Sequence, residues 1–85
     1  MNLEEIKALP SDQAIQCLDI IIRENPENDE ALALRAQILW KLNRRREAIN
    51  DCNMALRINP ESRAKVLLDY ANSILDYYNK DLLNP

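Results

Sequence analysis

Asn25-Pro26-Glu27 and Asn59-Pro60-Glu61 are the same three residues set 34 positions apart. The register extends outward from them. Ala14-Ile15 recurs as Ala48-Ile49, and Arg23 recurs as Arg57. A fixed period of this length marks a chain built from stacked supersecondary units, none of which can bury its apolar face alone. The proline of each copy cannot continue a helix, because it lacks an N–H and its ring clashes with the preceding turn. The joints of the array therefore fall at residues 25–26 and 59–60.

Around these joints the pattern is helical. The chain has no glycine, which tight strand hairpins usually need, and it is rich in Leu, Ala, Glu and Arg. Prolines at 10, 26, 60 and 85 divide it into segments. Leu3, Ile6 and Leu9 predict a short first helix over Asn2 to Leu9. Ser11 is placed to cap a second, over about Asp12 to Glu24, with Ala14, Ile15, Leu18, Ile21 and Ile22 on one face. Asp29 is expected to cap a third, ending near Leu42. Its apolar residues are too many for one face, so it must meet neighbours on two sides. Asn43 suits the left-handed end of that helix. A fourth helix, about Arg45 to Ile58, turns Ala48, Ile49, Cys52, Ala55, Leu56 and Ile58 inward. Glu61 or Ser62 opens a last helix to about Asn79, with Leu82-Leu83 following in a short tail. Short connections fold each helix back on the one before. The expected fold is all-α.

Composition narrows the function. Eighty-five residues make one domain with limited apolar area to bury. A net charge of −3 lacks the basic footprint of a nucleic-acid binder, so none is expected as partner. There is no histidine, and Cys17 and Cys52 belong to no CxxC. A zinc site, a histidine base and a Cys–His pair all lack their parts. No catalytic residue, metal or cofactor is assigned, and the chain does not read as an enzyme. The two cysteines read as reduced, half-buried thiols. Glu4-Glu5, Glu27 and Asp29-Glu30 sit at helix starts, where acids complement the dipole. The start, Met1-Asn2-Leu3-Glu4-Glu5-Ile6, has no basic residue and no long apolar run, and no stretch approaches spanning length. A cytoplasmic setting without a membrane partner is the expectation.

From Asp29 to Pro60 the chain resembles one tetratricopeptide repeat. The family's pattern of large apolar, Leu-Gly, aromatic, Ala, aromatic, Ala and Pro is met by Leu32, Arg35-Ala36, Leu39, Ala48, Cys52, Ala55 and Pro60. The small residues Ala36, Ala48 and Ala55 let helix axes approach closely. Arg35 stands in a leucine's place, and Leu39 and Cys52 stand in place of aromatics. Ser11 to Pro26 resembles the second helix of a preceding repeat, with Asn2 to Leu9 as its stunted first. The resemblance divides a single domain, 1–85, into a truncated repeat (1–28), a complete repeat (29–62) and a closing helix with tail (63–85). It implies a short right-handed solenoid of antiparallel hairpins, about five helices in all. The ending Tyr77 to Pro85 is similar to that of small bacterial two-repeat members. The family implies protein–protein interaction through a concave groove. The alternative is a self-associating, homodimeric module or a small regulatory subunit.

Carried over residue by residue, the resemblance places Glu30, Ala33, Gln37, Trp40 and Lys41 on the groove face of the third helix. They fall on one helical stripe. The corresponding stripe on the closing helix includes Leu67, Ala71 and Ile74. Some members clamp a partner's terminal carboxylate with a lysine and an asparagine. Ala33 and Gln37 occupy those places here, so that role is not expected. Trp40, an amphipathic ring, is the sharpest groove candidate. Val66, Tyr70 and Tyr77 widen the apolar face of the closing helix and are the candidates for self-association. Arg44, Arg45 and Arg46 form a basic run that could dock an acidic partner, or be balanced by Glu47 or Asp51.

Overall fold

The computed structural model describes the backbone of residues 2–83 and the side-chain surroundings of residues 2–74. Five helices follow in order: α1 (Leu3–Lys7), α2 (Ser11–Glu24), α3 (Asp29–Lys41), α4 (Arg45–Ile58) and α5 (Ala64–Leu83). No strand occurs among the described residues, and no helix there is long and apolar enough to cross a membrane. The period of the sequence reappears in the backbone, since α4 begins and ends 34 residues after α2 begins and ends. Both helices stop on the asparagine of an Asn-Pro-Glu triplet. Asn25 has φ −140° and ψ 85°, and Asn59 has φ −140° and ψ 104°. Each asparagine Oδ1 accepts the N–H of the glutamate two residues on, at 3.3 Å for Glu27 and 3.0 Å for Glu61. These are Asx turns, in which a side chain mimics the backbone of a turn. What repeats in the sequence is thus a stop signal.

Two caps differ from expectation. Pro10, not Ser11, flanks α2, and no side chain caps that end. Pro10 itself is extended, with φ −54° and ψ 148°, so the helix starts directly after the ring. The Pro10 carbonyl then accepts the Ala14 N–H at 2.9 Å. Asn28, not Asp29, caps α3, its Oδ1 accepting the Ala31 N–H at 3.0 Å. Asp29 is left free to accept the Asn59 amide at 3.2 Å, which ties the start of α3 to the end of α4. Ser62 precedes α5 and its hydroxyl accepts the Ala64 N–H. Leu82 and Leu83 belong to α5 and not to a tail, because the helix continues past Asn79 to Leu83. Nothing breaks the helix there, since the next proline is Pro85.

The turn between α3 and α4 is made by Asn43, with φ 67°. Its N–H reaches the Trp40 carbonyl at 3.0 Å, and the Arg44 N–H reaches Leu39 at 2.9 Å. Together these satisfy the last carbonyls of α3 in a Schellman arrangement. The chain has no glycine, and asparagine is the residue that tolerates this geometry best in its absence.

Helix α3 packs on every other helix, and its most extensive contact is with α4. Seven of its residues are buried, including Leu32, Ala36 and Leu39. Ala36, Ala48 and Ala55 are wholly buried, as are Ile6, Leu18, Leu32 and Cys52. The small residues permit close approach and the large ones fill the remaining space.

One charged residue enters this apolar helix. The Arg35 guanidinium donates two hydrogen bonds to Asp51 of α4, at 2.7 and 2.8 Å, and one to Asp19 of α2, at 2.9 Å. The planar fork of arginine suits this geometry, and the pairing raises its pKa above the ordinary value, chiefly through the bond to Asp51. Asp51, read from sequence as a counter-ion for the arginine run, serves Arg35 instead. The two aspartates are unequal. The Asp51 side chain is 7% exposed and that of Asp19 is 44% exposed. Replacing Asp51 by alanine strands a half-buried guanidinium and is expected to cost about 3 kcal/mol, whereas Asp19→Ala is expected to cost less than about 1 kcal/mol. Urea unfolding checks this, read as a shift of midpoint at unchanged slope.

Candidate functional site

The predicted stripe on α3 divides in two. Glu30, Ala33 and Gln37 line a concavity of about 260 Å³. Ala33, nearly buried at 5% exposure, joins Leu34 in its floor. The facing wall is Leu3, Glu4 and Lys7 of α1, and the end wall is Asn59 to Arg63 of the connection before α5. Trp40 and Lys41 lie beyond it, toward the Asn43 turn, and do not line it.

The closing helix contributes little to this concavity. Ala71 is wholly buried, and Leu67 and Ile74 are half-buried. Ala71 therefore offers no surface to a partner. This stripe of α5 turns toward the body of the protein, because its small and apolar residues cover α4 and α3. Sequence reading missed the walls that replace it, α1 and the Asn59 to Arg63 connection. The Asn59 to Asp29 bond was the detail that brings that connection alongside α3.

Trp40 is neither bare nor dry. Its ring is half-buried, meets Tyr70 of α5 edge-on at 6.1 Å and 71°, and lies under the Arg45 guanidinium at 4.9 Å. Both contacts are favourable, the first through the ring quadrupoles and the second as a cation–π pair. They cover Trp40 from α5 and α4, at the opposite end of α3 from the short first helix.

The arginine run is split by the same contacts. Arg44 forks onto Glu47, which raises the pKa of the arginine and lowers that of the glutamate, first through their direct hydrogen bond. Arg45 sits on Trp40, and Arg46 is exposed. Val66 and Tyr70 are exposed at 76% and 57%. Tyr77 lies outside the residues whose side chains are described.

A second concavity, of about 290 Å³, opens over the Arg35 pairing and is lined by Ile15, Asp19, Leu39, Arg44, Glu47 and Asn50. Its charges are satisfied internally, Arg35 by two aspartates and Arg44 by Glu47. In the first concavity Glu30 and Glu61 form no ion pair among the described residues. A charge left open toward solvent can still meet a ligand. That difference makes the first concavity the candidate site.

Cysteine chemistry is poorly served. Both thiols are free, Cys17 half-buried and Cys52 wholly buried rather than half-buried as expected. Burial, aided by the charge of Asp51, pushes the Cys52 thiol from its ordinary 9.0 up to about 11. The thiolate is the reactive form, so this residue is inert near neutrality. The unfolded chain releases this proton first as pH rises. The contribution to stability is full below about pH 9 and is lost as pH climbs through about 11. Between these values the protein is expected to lose more thermal stability than Cys52→Ala does, and a thiol reagent at pH 8 is expected to label Cys17 well before Cys52.

No family model, curated protein or solved structure matches the chain.

Proposed function

We propose that this chain is a protein-interaction module of the tetratricopeptide kind, holding an extended segment of a partner in the concavity between α1, α3 and the Asn59 to Arg63 connection. The observation that carries the reading is the coincidence of that concavity with Glu30, Ala33 and Gln37, three positions that the family resemblance assigns to a groove. The repeated bounds of α2 and α4, and the twin Asx turns that end them, support a solenoid built of like units. The role is binding and not catalysis. The compartment that suits two free thiols is the reducing cytoplasm, and the bacterial likeness of the chain's ending agrees with it.

A photocrosslinking residue in place of Gln37 tests the reading against one in place of Asn50, which lines the second concavity. In extracts of the source cell, a discrete adduct is expected from position 37 and none from position 50. Equal labelling, or labelling from position 50 alone, removes the groove.

A second reading is favoured by Val66 and Tyr70. Two large apolar side chains stand exposed one turn apart on α5, beside the half-buried Trp40. A second copy packed on this face would make the homodimer expected of a short array. Sedimentation at micromolar concentration is then expected to give a dimer that Tyr70→Ser weakens. A monomer at all concentrations removes this reading and leaves the groove untouched.

A further inference from the structure

We infer that the concavity between α1, α3 and the Asn59 to Arg63 connection selects a long cationic side chain, arginine or lysine, from the partner segment; this rests on the groove reading above. The volume, about 260 Å³, lies below the usual range for small-molecule pockets and suits one side chain. Its floor is apolar, with Leu34 at 7% and Ala33 at 5% exposure, and Leu3 beside them. The aliphatic stem of a lysine or arginine packs well on such a surface while its head stays at the rim.

The rim is acidic. Four carboxylates line the concavity against two cations, Lys7 and Arg63. Lys7 is already held by Glu4 at 3.1 Å, and Asp29 by the Asn59 amide at 3.2 Å. Glu30, Glu61 and Arg63 remain, all exposed and all without an ion pair among the described residues, so two open carboxylates stand against one open cation. Glu30 has another task, since an acid in the first turn of α3 complements the helix dipole. Glu61 has no such task. It lies in the connection, its N–H is taken by the Asn59 side chain, and the residue lines the concavity. No group of three acids or cysteines among the described residues is close enough to hold a metal ion.

The test uses fluorescein-labelled short peptide pools that differ only in one fixed central residue: arginine, lysine, leucine or glutamate. Anisotropy titrations at low salt are expected to give binding about tenfold tighter for the arginine and lysine pools than for leucine, with glutamate weakest. Raising the salt is expected to narrow the difference. Glu30→Gln with Glu61→Gln is expected to abolish it. Both side chains are exposed, so the variant keeps its fold, checked by circular dichroism. Equal binding of all pools, or a preference that survives in the variant, overturns the cation selection and leaves the groove reading standing. Failure of every pool to bind overturns both. Sedimentation of the same samples covers the remaining occupant. Concentration-dependent association that the two substitutions abolish, with no peptide bound, assigns the concavity to the arginine run of a second copy and overturns the partner segment.

Discussion

The close approach of α3 to α4 through Ala36, Ala48 and Ala55 is the constraint from which the rest follows. All three are wholly buried, so nothing at these points holds the axes apart. Helices that touch through alanine lie at the near end of the usual packing distance, about 8 Å. At that separation Leu32 and Cys52 are also fully enclosed, and Asp51 is drawn to the side of α3. A leucine at position 35 would meet a carboxylate there. Arginine meets it with two parallel bonds and has a donor left for α2. Arg35 and Asp51 are therefore one feature, not two. An ion pair of this kind is weak evidence for high stability. It does fix how α2 and α4 are set about α3, because a planar fork accepts few arrangements.

The two faces of this three-helix layer differ in how their charges are settled. On one, Arg35, Asp19 and Asp51 satisfy each other, and Arg44 satisfies Glu47. On the other, the short α1 leaves a hollow with glutamates at its mouth. A full-length first helix would extend further along α3. With only five residues, capped by Asn2 and stopped ahead of Pro10, α1 buries Ile6 fully and Leu3 in part. The hollow exists beside α3 because α1 is only five residues long.

Helix order and helix count were legible because proline, asparagine and the apolar period mark them locally. The Asn43 turn was legible for the same reason, since a glycine-free chain has few residues suited to positive φ. The caps at Pro10 and Asn28 were not, because at Asn28 two adjacent residues competed for the third N–H and at Pro10 no side chain caps the helix at all. Arg35 could have been read further. A charge between buried Leu34 and Ala36 demands a partner. Asp51, between inward-facing Ala48 and Ala55, was an available one. The orientation of α5 was legible in its described part, since Leu67 and Ala71 turn inward and Val66 and Tyr70, the excess on that helix, stay exposed. Of the stripe on α3, Glu30, Ala33 and Gln37 line the first concavity and Trp40 and Lys41 do not. Trp40 was claimed by Tyr70 and Arg45, residues 30 and 5 positions away, that no period connects to it.

The Asn43 turn carries a consequence for how the chain reaches this state. It closes the most extensive helix pair with only three residues between Lys41 and Arg45, so its loop-closure entropy is small. The side-chain links that follow span modest separations, 16 residues on either side of Arg35 and 30 from Asp29 to Asn59. Contacts of such short range belong to the fast class of folding topologies. The α3–α4 hairpin joins a short connection to the most extensive helix contact, which makes it a local unit to which α2 and α5 can add. A chain assembled in this order never holds a long unpaired apolar segment in solution while it waits for a distant partner.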